Sequence, residues 1–430
     1  MPNLLSALKY KHQKGEIGGL VSVCSAHPVV LQAAIQSSLA YDRPFLVEAT
    51  GAQVNQFGGY SGMTPVRFAG FVKNLASSLG LSPEHVIIGA DHLGPQIWKQ
   101  DPRKTAMQKA EELVRQCVAA GFEKIHLDTA APCLDDGVSA LPMEVVARRA
   151  ARLCKAAEDM NTGMGRSGGL FYVIGNDVPV PGGGLEKGMT VPVTDPDKMR
   201  FSIEQYKMAF QRMSLDSAWS RVVGLVVQPG VDFGDHAVTG YDARKAFSLS
   251  ACHADLPGIM TYEIHATDYQ TPTALKEMVR NHFVLLKAGP CLTFALRKAL
   301  YTLAGFESDL PEIPLPSNLI QVMENLMMAN PVNWQSHYRG SPKEVKHLRH
   351  FSLRDRIRYY WPLPEAIFAV NRLIQNLHRP IPESWVKHHL PNLHSDIEEQ
   401  GILADPDAIL KLAVRKELDP YWKACLAPSL

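Results

Sequence analysis

Residues 20–50 read LVSVCSAHPVVLQAAIQSSLAYDRPFLVEAT, and the way this stretch divides sets the fold. Two short apolar and β-branched runs, LVSVCS at 20–25 and PFLVEAT at 44–50, flank a segment of helical spacing at 28–40. Strand, helix and strand in that order are the unit of a parallel βα sheet, whose strands are covered on both faces and so read as nearly continuous apolar runs. The alternation continues outward. Further strands are predicted at 86–91 (VIIGAD), 124–129 (KIHLDT), 171–176 (FYVIGN), 222–228 (VVGLVVQ), 260–266 (MTYEIHA) and 283–288 (FVLLKA), which makes eight. After the helix at 28–40, others are predicted over 64–79, 102–120, 141–160, 195–213, 241–253, 271–281 and 292–305. Three of these open on Thr64-Pro65, Asp101-Pro102 and Thr271-Pro272, where a capping oxygen can accept an orphan N–H and proline has none to leave unpaired.

Eight such units predict a closed (β/α)8 TIM barrel over residues 1–305. The competing open, doubly wound sheet carries a Gly-rich dinucleotide turn after its first strand, and none follows here. A G-x-G-x-x-G match at Gly163, Gly165 and Gly168 precedes a strand instead of opening a helix, so it reads as a loop. From residue 306 a Pro-rich acidic segment gives way to helical, aromatic and basic sequence, predicted to be a C-terminal helical extension (306–430) packed on the barrel. Its run Arg354-Asp355-Arg356-Ile357-Arg358-Tyr359-Tyr360-Trp361 could be a phosphate or nucleic-acid surface. Overall neutrality and the nearby Asp355 favour aromatics packed on the barrel or a partner subunit, with arginine stems over them.

Forty-four Lys and Arg against 43 Asp and Glu leave a formal charge of +1, which excludes a global field that would gather nucleic acid or an anionic membrane. A phosphorylated ligand would need local cations. The seven cysteines form no C-x-x-C pair and sit mostly in apolar runs, so they read as reduced, buried thiols. No run reaches 18 apolar residues and no cleavable leader is evident, so a soluble, cytoplasmic protein is expected. Gly183-x-x-x-x-Gly188 is followed by Met189 where a Walker loop needs Lys, and no nucleotide cofactor is predicted.

In this fold the chemistry sits at the C-terminal ends of the strands, and those positions are polar here. Asp91-His92 closes the third run, and His265 lies on the seventh strand two residues after Glu263. Imidazoles and carboxylates converging on one mouth predict a divalent-metal site, by ligand softness Zn²⁺, with His92, His265 and Glu263 as ligands. Asp91 and Asp128 are the candidate general acid or base, or else they orient a ligand and cap a helix. Glu48, Asn55, Gln228, Asp268, Lys287 and Arg297 are the candidate substrate contacts, Lys287 being the preferred phosphate cation. His27, His126 and His236 are read as hydrogen-bonded structural residues. The Gly- and Pro-rich stretch 175–184 is either a substrate-covering loop or a plain connection.

Ten ordered blocks carry a family resemblance: VCSAHP (23–28), EAT (48–50), NQFGGYSGMTP (55–65), DHLGP (91–95), IHLD (125–128), VPVPGG (178–183), VVQPGV (226–231), HATDYQT (265–271), LTFALR (292–297) and DRIRYYWP (355–362). Together they resemble the tagatose-bisphosphate aldolase subunit family of galactitol and N-acetylgalactosamine catabolism. The resemblance implies a non-catalytic partner for a separate class II aldolase that cleaves D-tagatose 1,6-bisphosphate to glycerone phosphate and glyceraldehyde 3-phosphate. Members have also been labelled tagatose-6-phosphate kinases, and more distant relatives look like metal-dependent epimerases. The class II zinc pattern carries over onto Asp91, His92 and His265. Gln228 stands where the sixth strand of such an enzyme would offer another His, and Asn176-Asp177 replace the family's usual Thr-Glu, with Asp177 as the corresponding ligand. Gln96 and Ala266 are further departures from the family pattern. Expected partners are therefore the catalytic aldolase subunit and a sugar phosphate, not nucleic acid or membrane, with self-association left open. The alternatives are a metal-dependent ketose-phosphate epimerase or aldolase in its own right and, third, a tagatose-6-phosphate kinase.

Overall fold

The computed structural model describes residues 4–175 and 191–426. Its eight predicted runs are β1 (Leu20–Val23), β2 (Phe45–Thr50), β3 (Val86–Leu93), β4 (Lys124–Leu127), β5 (Phe171–Ile174), β6 (Val222–Val226), β9 (Thr261–Ile264) and β10 (Phe283–Ala288). Between the sixth and seventh barrel strands β7 (Asp232–Phe233) and β8 (Val238–Thr239) form an antiparallel pair. The eight close into a parallel barrel in the order β1-β10-β9-β6-β5-β4-β3-β2, so the fold is a (β/α)8 TIM barrel. Its seam pairs Leu20 with Leu285 and Val23 with Ala288.

Helix α1 (Leu4–Gln13) precedes the barrel, and α2 (Pro28–Ala40), α3 (Pro65–Ser78), α4 (Arg103–Ala119), α5 (Met143–Gly163) and α6 (Pro196–Arg212) surround it with α7 (Asp216–Trp219), α8 (Phe247–Ala251), α9 (Pro272–Arg280) and α10 (Pro290–Ser308). The helix predicted over 241–253 is only α8, because Asp242 Oδ1 takes the Arg244 N–H at 3.0 Å and holds a turn in place of a helical start. Thr271 caps α9 through the Ala274 N–H, whereas Thr64 makes no capping bond. Asp101 also caps nothing: Pro102 is the residue before α4, and the carboxylate binds Lys109. The dinucleotide-like match, read as a loop, is one only at Gly165 and Gly168, because α5 runs on to include Gly163.

The strand period of two decides what the barrel holds. Inward residues near the N-terminal ends, among them Leu20, Leu46, Ile87 and Leu285, form an apolar floor with Leu5 and Leu8 of α1. Two residues further along the same faces stand Ser22, Glu48, Gly89 and Lys287, so the interior passes within one step from apolar to charged.

Helices α11 (Leu319–Ala329), α12 (Pro342–Phe351), α13 (Pro364–Asn376), α14 (Glu383–His389), α15 (His394–Glu399) and α16 (Pro406–Cys425) follow the barrel. Helix α16 returns to pack on α2, α9 and α10, its Trp422 stacking on Tyr41 at 6.1 Å and its Cys425 carbonyl accepting the Gly19 N–H at 3.1 Å. Among the described residues no helix is long and apolar enough to cross a membrane. Because Trp422 is buried against barrel helices, Trp422→Ala is expected to cost about 3–5 kcal/mol. A urea titration would show it as a lower midpoint at unchanged slope.

Candidate metal centre at the barrel mouth

Above the apolar floor lies a layer of buried ions. Lys124 Nζ is 2.7 Å from Glu48 Oε1 and 2.6 Å from Glu263 Oε2, and all three side chains are sealed from solvent. Lys287 Nζ fills the space between three carboxylates, at 2.5 Å from Asp91, 3.0 Å from Glu48 and 3.2 Å from Glu263. Ser22 Oγ donates to Glu48 as well. Burial alone would drive the Lys287 ammonium to lose its proton, but Asp91, Glu263 and Glu48 outweigh it and hold its pKa well above the usual lysine value. Burial would likewise raise the Glu263 carboxyl, yet Lys124 and Lys287 hold it well below the ordinary carboxylate range.

Over this layer sit three histidines. His92 Nδ1 meets Asp128 Oδ2 at 2.7 Å and its Nε2 lies 3.2 Å from His265 Nδ1, while His265 Nε2 meets Glu263 Oε1 at 3.0 Å. Each imidazole thus has one nitrogen fixed by a carboxylate and turns the other toward its neighbour, the arrangement that orients metal-ligating histidines. His126 Nδ1 lies 2.9 Å from Asp91 Oδ1, and its Nε2 is buried without a hydrogen-bond partner. Burial pushes His265 down to about 3, with Lys287 adding to the effect. Burial acts the same way on His92, but Asp91 and Asp128 outweigh it and raise that group. Asp91 is held well below the usual range because His92 and Lys287 overcome its burial.

The backbone is bent to make this geometry. His92 has φ 49° and Ala266 φ 54°, left-handed values uncommon for non-glycine residues. At Gly94 the chain passes so close to the next strand end that a Cβ would stand 1.6 Å from the Asp128 carbonyl oxygen, so no other residue fits.

Donor atoms of Asp91, His92, His126 and His265 all lie within 4.8 Å of one another. The 3.2 Å between the His92 and His265 nitrogens is close to the roughly 3.3 Å edge of a tetrahedron with zinc–nitrogen bonds of about 2.0–2.1 Å. Four carboxylates, Glu48, Asp91, Asp128 and Glu263, against Lys124 and Lys287 leave this connected cluster at a formal −2 with its histidines neutral, the charge a divalent cation balances. The spacing and the charge fit such an ion.

The cluster opens into a cavity of about 710 Å³. Asp91, His92, His265 and Lys287 line it from the barrel, and the C-terminal extension contributes His337, Arg356, Arg358 and Tyr359. Not every predicted contact faces this space. Asn55 is spent on the Gly51 carbonyl and the Phe57 and Gly59 amides, and Gln228 Oε1 accepts from Gly230 and Val231, so neither lines the cavity. Asp268 reaches the cavity but accepts the amides of Gly289 and Cys291. Arg297 lies away from it and binds Asp355 at 3.1 Å. Glu263 sits under the histidines, gripped by both lysines and His265, instead of reaching the cavity. Asp177, with most of the Gly-Pro stretch, lies outside the described residues.

A family model described as D-tagatose-1,6-bisphosphate aldolase subunit GatZ/KbaZ-like matches residues 5–426. The chain belongs to this family. A solved structure described as a probable tagatose 6 phosphate kinase from Sinorhizobium meliloti 1021 shares 40% identity over 95% of this chain and 100% of its own, with a TM-score of 0.86. The YdjI aldolase from Escherichia coli K12 aligns at 11% identity over 73% of this chain and 89% of its own, with a TM-score of 0.42. A fructose-bisphosphate aldolase from Campylobacter jejuni aligns at 12% over 92% and 94%, with a TM-score of 0.43. The last two likenesses are too low to carry any argument about chemistry.

Two residues of this GatZ/KbaZ-like chain's candidate site escaped the sequence reading. His126, read as structural, joins the candidate metal-ligand set, and the signal was its period-two spacing to Asp128 on one strand face. Lys124 opens β4 and carried no signal, since a lysine at a strand start usually reaches solvent.

Removing one partner of a buried ion pair strands the other, so Lys124→Met is expected to cost about 3–5 kcal/mol, read from a denaturant midpoint. His27, half-buried at the cavity wall, is pushed down to about 4 by desolvation, against about 6.5 unfolded. Between those values unfolding takes up a proton there, so its contribution to stability falls as pH drops through that window and changes no further below it. The slope of unfolding free energy against pH in this window should be shallower in His27→Gln, by up to about one proton.

Proposed function

We propose that the chain is the accessory subunit of a class II D-tagatose-1,6-bisphosphate aldolase in galactitol and N-acetylgalactosamine catabolism. It works in the cytoplasm and supports the activity and stability of a separate catalytic subunit. The observation that carries this reading is Gln228. Where the zinc pattern of the catalytic enzymes calls for a third histidine on the sixth strand, this chain has an amide whose oxygen is committed to the Gly230 and Val231 N–H groups. The match over residues 5–426 supports it further. Mixing the purified chain with its cognate aldolase should yield a co-eluting complex of higher specific activity and higher melting temperature. Independent elution with no gain in either quantity rejects the reading.

A second reading, a metal-dependent ketose-phosphate epimerase or aldolase acting alone, is favoured by the buried Asp91-His92-His126-His265 group. A divalent ion held there would polarise a substrate carbonyl and stabilise an enediolate. Asp91 faces the cavity and is the residue placed to exchange a proton with a bound sugar, while Asp128 fixes His92. On this reading His265→Ala should lose both bound metal and sugar-phosphate turnover. Turnover by the isolated wild-type chain that survives this substitution excludes it.

A further inference from the structure

The part of the cavity wall supplied by the C-terminal extension is cationic. Arg356 is buried; its Nη1 donates to the Asn333 carbonyl at 2.6 Å, and its Nε has no hydrogen-bond partner. Arg358 donates to the Arg354 and Asp355 carbonyls at 2.5 and 3.1 Å and to the Tyr359 hydroxyl at 3.3 Å. Lys99 stands exposed on the same cavity. Among the described residues no carboxylate lies within 4.0 Å of these three cations. The nearby acids are engaged elsewhere. Asp355 holds Arg297 at 3.1 Å and Thr293 at 2.6 Å, and Asp235 holds Ser352 at 2.7 Å and faces Arg354 at 3.8 Å.

The resulting field is visible on neighbouring groups. His337 is pushed down to about 4, first by burial and then by Arg356, Arg354, Arg358 and Lys99. Burial would raise the Tyr359 hydroxyl, yet Arg358 and Arg356 outweigh it and lower that group. Asp355 acts on Arg358 only from beyond ion-pair distance and burial lowers the pKa of Arg356, so the two guanidinium groups face the cavity with no carboxylate paired to them, a setting that favours an anion. Lys287 cannot take that part, because Asp91, Glu48 and Glu263 surround its ammonium. An anionic group near it would meet carboxylates on every side.

We propose that Arg356 and Arg358, with Lys99 at the rim, seat the phosphate group of a sugar phosphate whose carbonyl end lies at the His92–His265 cluster. The proposal rests on the sugar-phosphate reading of this mouth given above. Guanidinium forks suit the oxygens of a phosphate monoester, and the neutral remainder of a sugar gives them no charge to meet.

Calorimetric titration of the full chain with inorganic phosphate, D-tagatose 6-phosphate and D-tagatose tests it. The two phosphates should compete, and D-tagatose should bind at least about tenfold more weakly than its phosphate ester. Arg358→Gln should weaken inorganic phosphate by about ten- to a hundredfold, and the exposed Lys99→Gln, which leaves the folded core untouched, by a few-fold. His265→Ala should lose metal yet keep its affinity for inorganic phosphate. Undiminished phosphate affinity in Lys99→Gln and in a folded Arg358→Gln overturns the assignment, as does a wild-type chain that ignores millimolar phosphate. Because phosphate binding is read on the isolated chain, the assignment can fail without touching the aldolase-partner reading, and the reverse also holds.

Discussion

Lys124 and Lys287, gripping Glu48 and Glu263 inside the barrel, are the interaction on which the rest of the site depends. The four residues come from β4, β10, β2 and β9, which are distributed around the closed sheet, so the ion pairs brace it across its interior. Burying each ion costs several kcal/mol, and an apolar filling of equal volume would cost less. The network is therefore poorly explained as a device for stability. What it does achieve is position: Lys287 holds Asp91 from below, and Glu263 fixes the Nε2 side of His265. Neither group could keep its orientation if the layer beneath it were liquid-like hydrocarbon.

Space for that layer is made by glycine. At Gly89 a Cβ would stand 2.8 Å from Glu48 Cγ, and at Gly224 one would press on Val173 at 2.8 Å and lie 3.5 Å from Glu263 Oε2. The inward face of β3 thus gives up a side chain at one step so that a glutamate from β2 can extend across, and carries Asp91 at the next. Asp91 and Asp128 oppose the effect of burial on His92 and raise its affinity for a proton. A cation placed between His92 and His265 would compete with that proton, so metal binding there and deprotonation of His92 would be linked.

The barrel was legible because closed parallel strands bury both faces and leave apolar runs that are easy to count. The charges at Glu48, Asp91, Glu263 and Lys287 stood out inside those runs, where a charge needs a partner, and the structure pairs all four. Other features depended on distance in space that no local pattern reports. Asp355 sits between arginines in sequence and suggested neutralisation within that run, but its direct ion pair is with Arg297, 58 residues away, and it acts on Arg358 only from a longer distance. Of the aromatics in that run, Tyr360 and Trp361 are buried and Tyr359 is half-buried. Asn55 and Gln228 misled for a different reason: a carboxamide at a strand end can satisfy loop amides as well as a ligand, and the one-dimensional pattern is the same for both.

The Arg297–Asp355 pair also explains why the cavity belongs to the whole chain and not to the barrel alone. Asp355 takes a left-handed conformation, φ 45°, and reaches Thr293 and Arg297 on α10, the helix that leaves the eighth strand. The turn that carries Arg356 and Arg358 is thereby anchored to the same strand–helix unit that presents Lys287. Tyr60, from the loop after β2, meets Tyr359 edge to face at 4.5 Å and ties the turn to a second part of the rim. A cation wall fixed at two points relative to a carboxylate and histidine floor sets one distance between them. On the phosphate assignment proposed above, that separation would select a ligand charged at one end and carrying a carbonyl at the other.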